Sequence, residues 1–200
     1  MKRANPAPST LLIACGALAR EILALIERNR WSNIEVTCLP ASWHNRPERI
    51  PEGVRAKVRA AKRKYDRVLV VYADCGTGGL LDQVVAEEGV ERIPGPHCYE
   101  FYSGHAAFTE MMDREPGTFF LTDYMVRHFD RLILQGLGLD RHPELRDAYF
   151  GNYAKLVYLS QIEDARLRTK AEAAASRLGL AYEHRHTGYG GLETFIAPRN

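Results

Sequence analysis

Residues 67–89 read RVLVVYADCGTGGLLDQVVAEEG. After Arg67 the run is apolar through Ala73. That fits a strand buried on both faces of a parallel sheet, where no polar side alternates with an apolar one. Glycines at 76, 78 and 79 mark a tight turn, and apolar residues at helical spacing follow until Gly89. Strand, turn and helix in so short a stretch make half of a βαβ unit.

The same unit recurs along the chain. TLLIAC (10–15) is a strand before the helical ALAREILALIERN (17–29). NIEVTCLP (33–40) is a second strand, followed by the basic helix VRAKVRAAKRKY (54–65). VERI (90–93) is a short strand, YEFYSGHAAFTEMMDRE (99–115) a helix, GTFFLT (117–122) a strand and DYMVRHFDRLILQGLG (123–138) a helix. PELRDAYFGNY (143–153) adds a helical turn. KLVYLS (155–160) is a strand, IEDARLRTKAEAAASRLG (162–179) a helix, and LAYEHRHTGYGGLETFIA (180–197) one or two short strands. The alternation predicts an α/β fold: a Rossmann-like three-layer sandwich, with a mostly parallel sheet of about six strands and helices on both faces. A single domain over 1–200 is expected, with 1–9 a flexible, proline-containing extension.

Composition narrows the function classes. The 200 residues carry 27 Lys and Arg against 25 Asp and Glu, a net charge of +2. No strong field draws the chain to nucleic acid or anionic lipid, and a nucleic-acid partner is not expected. The opening MKR and the apolar LLIACGALA imitate a signal peptide or lipoprotein box. However, the apolar core Leu11–Ala14 is short, and Pro6 and Pro8 interrupt what precedes it. No apolar run is long enough to span a bilayer. A cytoplasmic setting without a membrane partner is expected, where thiols stay reduced. The basic run from Arg55 to Arg67 reads first as a solvated helix face, and otherwise as a docking surface for an acidic partner.

The four cysteines are far apart, with no CxxC pair. Cys15 ends the first strand, Cys75 follows the third, and Cys98 follows the fourth after a PGPH turn. Ligands of parallel α/β sheets gather at the carboxyl ends of strands. Each of the three also precedes a helix, where the helix dipole favours thiolate. Cys15, Cys75 and Cys98 are therefore candidate metal ligands, for zinc with a fourth ligand from His97, His44 or His105, or for a [4Fe-4S] cluster. Cys38 lies inside its strand and reads as a small buried residue.

DCGTGG suggests a second use. Gly76, Thr77, Gly78 and Gly79, with Gly16 in the first turn, are candidates to bring backbone N–H groups to a phosphate. The spacing matches neither a Walker loop nor GxGxxG, so a dinucleotide site is not expected. Within GPHCYEFYSGH, His97 is a candidate ligand or proton carrier and Glu100 a candidate acid, which would also complement a helix dipole. The HTGYGGLETF loop offers Tyr189 and Thr187 for closure over a small-molecule substrate. Thr122 and Asp123 read as a helix cap. His184 and His186 share one strand face, more readily an exposed polar face than a metal pair.

CGALAREI, YADCGTGG, GPHCYEFY, PGTFFLTD, GLGLDRHPEL, YFGNY and TGYGGLE, in that order, resemble the family of unknown function DUF1638 from about Leu11 to Glu193. The resemblance implies association with corrinoid-dependent methyltransferase systems that move methyl groups from methylamines or betaines to a folate. The family's motif cysteines match Cys15, Cys75 and Cys98. Three functions stay open. The first is a metal-dependent transferase or accessory factor in one-carbon metabolism. The second is a non-catalytic partner that binds or matures a corrinoid protein. The third is a metal-free thiol enzyme with Cys75 as nucleophile and His97 as base.

Overall fold

The structure, a computed structural model, describes residues 8–198. Two compact units divide the chain. The first runs to Phe101 and takes up the chain again at Gly191, and the second spans Tyr102 to Gly190.

In the first unit β1 (Thr10–Cys15) leads through a 3-10 turn to α1 (Ala19–Asn29). β2 (Ile34–Leu39), α2 (Ile50–Ala61), β3 (Arg67–Val71), α3 (Leu80–Glu88), β4 (Glu91–Arg92) and α4 (Cys98–Ser103) follow. The strands pair in the order β2-β1-β3-β4, all parallel. β1 is central and buried along its whole length, which explains its lack of alternation. α2 turns Ile50, Val54, Val58 and Ala61 inward. Its outward cations meet the acids of α3: Arg55, Arg59 and Lys62 converge on Glu88, and Arg55 also reaches Glu87. Three cations of the basic run are thus paired within the unit, as on a solvated helix face.

The second unit begins with α5 (His105–Arg114), β5 (Thr118–Thr122) and α6 (Asp123–Arg127). The chain passes through a π-helical stretch (Asp130–Gln135) to α7 (Arg146–Phe150), β6 (Lys155–Ser160), α8 (Ala165–Leu178) and β7 (Ala181–His186). β5, β6 and β7 form a separate parallel sheet in that order. α8 is capped as its sequence suggests: the Asp164 carboxylate accepts from the N–H groups of Arg166 and Leu167, and Gly179 closes it in the left-handed conformation. α9 (Gly191–Ile196) belongs to the first unit.

The α/β class and parallel pairing match the sequence reading, and the single sheet does not. The strands belong to two sheets, of four and three, instead of one sheet of about six. Strand periodicity reports burial and not which strand is the neighbour. The helix expected over 99–115 breaks at Gly104, whose φ of 83° no helix accommodates. The second strand expected near the C-terminus is α9. Of the extension expected to be flexible over 1–9, residues 1–7 lie outside the described part, and Ser9 is tied down. Its N–H and hydroxyl both donate to the Asp66 carboxylate, at 2.8 and 2.9 Å. No helix among the described residues is long and apolar enough to cross a membrane.

Candidate functional site

Parallel pairing sets Ala14 of β1 against Val71 of β3, so the two strands end side by side. Cys15 closes β1, and Cys75 lies just beyond β3. Cys75 has φ 51°, in the left-handed region, although a non-glycine residue there is strained. A glycine would sit more easily, yet this position in a glycine-rich loop carries a thiol. Asp74 and Cys75 donate their N–H groups to the carbonyls of Gly95 and Pro96, at 3.0 and 2.9 Å. Arg92 braces the same turn through the carbonyls of Ile93 and Gly95. Those bonds bring Cys98, the first residue of α4, alongside the other two.

His44 arrives by a different route. It lies in the 3-10 turn 41–45 after β2, and Trp43 beside it packs on Gly53 of α2. A Cβ at Gly53 would stand 2.3 Å from Trp43 Cζ3, so the packing requires glycine. The Arg49 guanidinium covers the Trp43 ring at 4.8 Å.

Cys15, Cys75, Cys98, His44 and Tyr72 line one cavity of about 20 Å³, with Leu18 and Phe101 in its apolar wall. Every lining residue belongs to the first unit. The Cys15 sulfur accepts from Ala17 N–H at 3.3 Å and lies 3.5 Å from His44 Nδ1. His44 Nδ1 is also 3.2 Å from the Ala41 carbonyl, which can only accept, so Nδ1 carries the ring proton. Burial holds the His44 pKa below its ordinary value, so the imidazole is neutral and its lone pair is on Nε2. The Tyr72 side chain is 1% exposed, and its hydroxyl makes no hydrogen bond of normal geometry, although it approaches the Cys15 thiol. A buried hydroxyl without a partner lowers stability, which makes it a candidate to serve a ligand.

The thiols correct one expectation. Helix starts were expected to favour thiolate, but burial outweighs them. It pushes the Cys15 pKa up to about 11 and that of Cys75 up to about 12, and holds Cys98 well above 9. The sulfurs also raise one another, because they are close together. Among the described residues no three His, Cys, Asp or Glu side chains are already drawn together as metal ligands.

A phosphate role for the glycine loop is also corrected. The Asp74 carboxylate accepts from the Thr77 hydroxyl and from the N–H groups of Gly78 and Gly79, at 3.2 and 3.0 Å. A carboxylate of the chain thus occupies the donors meant for a phosphate and repels a second anion. Gly76 packs near Pro47. At Gly16 a Cβ would be 3.2 Å from the Leu39 carbonyl, so that glycine admits the chain leaving β2.

The three candidate catalytic groups do not gather at the thiols. His97 is exposed, beside the Tyr99 ring, and Glu100 is half-buried against Gly95. Neither lines the cavity. Tyr189 and His105 belong to the second unit. A Cys75–His97 pair is therefore absent from the cavity. Cys15–His44 is the near pair there, but His44 Nδ1 already holds a proton and cannot take one from the thiol. Cys38 is half-exposed, not buried.

The second unit has its own polar cluster. Ser160, at the end of β6, meets His184 Nε2 at 2.9 Å and His186 Nδ1 at 3.0 Å, so those histidines hold a serine between them. Asp123, read as a cap, is fully buried. Its carboxylate accepts from Tyr158 Oη at 2.6 Å, Gln161 N at 3.1 Å and Ile162 N at 3.2 Å. Sequence reasoning missed Tyr72. Its one signal was a polar-tipped aromatic at the end of an otherwise apolar strand, just before the cysteine.

Three comparisons place the chain among known proteins. A family model described as "Protein of unknown function (DUF1638)" matches residues 38–196. No curated protein matches. Among solved structures, ornithine carbamoyltransferase from Pyrococcus furiosus is similar at 15% identity, with a TM-score of 0.31, over 90% of this chain and 55% of that one. The chain thus spans about half of that protein's length, and so distant a likeness carries no argument about activity.

Proposed function

The chain belongs to the DUF1638 family of proteins of unknown function, and on that footing we propose that its first unit is a zinc-binding module held by Cys15, Cys75 and Cys98. The carrying observation is that three thiols from three separate strand ends line one cavity. A strained thiol at Cys75 and a hydroxyl without a partner at Tyr72 support it. A volume of about 20 Å³ suits one ion and is far too small for a four-iron cluster without parting the cysteines. When bound, zinc supplies the positive charge that keeps three buried sulfurs as thiolates and a Lewis-acidic position that acidifies a substrate thiol.

The protein residues have the remaining roles. Ala17 N–H and His44 Nδ1–H face the Cys15 sulfur and stabilise its anionic form. In the methyl-transfer setting that the family resemblance implies, the substrate is a thiol methyl acceptor. A corrinoid protein is the partner, and a reducing cytoplasm keeps the four cysteines free.

Anaerobic purification followed by metal analysis and a visible spectrum tests this, beside the variant Cys15→Ser, Cys75→Ser, Cys98→Ser. A colourless protein with about one zinc per chain, lost in the variant, is expected. A wild type without metal that cannot be reconstituted refutes the module. Iron and sulfide with visible absorption replace zinc with a cluster.

A further inference from the structure

The second unit contains a cleft of about 390 Å³ with no part in the thiol chemistry. One wall is the end of α6 and the π-helical stretch after it, and the other is α8. Arg127, Arg131, Lys170 and Arg177 line it, against a single lining carboxylate, Asp130. The whole chain has a net charge of only +2, so this is a local concentration of cations.

Little within the unit neutralises them. Asp130 pairs with Arg177 at 2.5 Å. Arg127 has Asp123 at 3.7 Å from Nη2, while its Nη1 is buried with no hydrogen-bond partner. Arg131 and Lys170 are exposed and enter no ion pair among the described residues. An unpaired buried guanidinium nitrogen lowers stability, and like charges around one cleft repel, so packing alone does not account for the arrangement. Its backbone is also unusual. Residues Asp130–Gln135 are π-helical, a geometry that recurs at functional sites. Lys170, Ala173, Ala174 and Arg177 share one face of α8. The two alanines leave room between the cations and, with Val126 and Phe129, make an apolar floor. Arg177 also lies 6.0 Å from the Phe129 ring centroid, which helps to fix its direction.

We propose that this cleft binds a small organic phosphate. Guanidinium forks match phosphate oxygens, four cations exceed what one carboxylate would need, and the volume suits a small molecule whose remainder rests on the apolar floor. The site is independent of the zinc module and is tested without it.

Isothermal titration of the full chain with inorganic pyrophosphate at low ionic strength is the direct measurement, with citrate as the carboxylate comparison. Saturable pyrophosphate binding at one site is expected, tighter than citrate. Arg131→Ala and Lys170→Ala should each weaken it about tenfold. Both side chains are exposed and unpaired, so the variants keep their fold, and thermal melts check this. Ala173→Glu, which adds a carboxylate to the cleft, should abolish binding. Arg166→Ala, on α8 but outside the cleft, should leave it unchanged. No saturable binding, equal affinity for citrate, or equal weakening by Arg166→Ala would overturn the proposal.

Discussion

Replacing Asp123 by alanine should destabilise the second unit more than a lost helix cap would. The carboxylate is fully buried and satisfies three donors: Tyr158 Oη, Gln161 N and Ile162 N. Its own N–H donates to Gln161 Oε1 at 2.8 Å, and Gln161 Nε2 donates to the Leu159 carbonyl at 2.8 Å, so the network ties the ends of β5 and β6 together. Alanine would leave the Tyr158 hydroxyl and the Gln161 N–H buried without an acceptor, the Ile162 N–H without its carboxylate, and Arg127 without its nearest anion. Loss of a buried charged partner costs about 3–5 kcal/mol. For a chain of this size that lowers Tm by roughly 6–20 °C. Tyr158→Phe removes one charged hydrogen bond and should cost about 1.5–3 kcal/mol. The double variant should be less destabilised than the sum of the two, by about 1 kcal/mol or more, because the residues share a bond. Urea denaturation followed by circular dichroism, with midpoint and slope compared, reads all three. Asp123→Ala within about 0.5 kcal/mol of wild type would show that the network contributes nothing net, as for a surface substitution.

Four other outcomes follow from the same geometry. Tyr72→Phe removes a buried hydroxyl that has no partner, so it should be neutral or stabilising by about 1 kcal/mol in denaturation, while impairing the function of the zinc module. Gly53→Val puts a side chain into the Trp43 ring and should cost about 1–3 kcal/mol, with a changed tryptophan fluorescence. In Gly53→Ala a helix-propensity gain of about 1 kcal/mol offsets part of that. Cys75→Gly relieves a left-handed cysteine and should stabilise the metal-free protein by about 1 kcal/mol in melts, while abolishing zinc binding. Acid should loosen the first unit through Glu88, whose pKa is pulled from 4.5 to about 2 by hydrogen bonding from Lys62 and then Arg59. A lowered carboxylate contributes stability that is full above pH 4.5 and is lost as pH falls toward 2. A pH series of melts should show that loss, and Glu88→Gln should flatten it.

The cysteine grouping was legible in the sequence because strand ends in a parallel α/β unit share one edge. Knowing that Cys15, Cys75 and Cys98 each follow a strand is enough to bring them together. The dipole argument for their ionisation failed for a physical reason. Helix position is written in the sequence, but burial depends on the atoms that surround each sulfur. The phosphate reading of the glycine loop failed in the same way, because Asp74, adjacent in sequence, turned out to be the loop's own anion.

By itself the sequence determined the α/β class, most strand and helix positions and the three thiols, since local periodicity and strand ends carry that information. Only the tertiary structure decided that the strands make two sheets, because pairing partners are chosen across the chain and not along it. It also placed His44, of the three histidines considered, beside the thiols, added Tyr72, and gathered Arg127, Arg131, Lys170 and Arg177 around a cleft. The segments that meet there are distant in sequence, and only the fold sets them side by side.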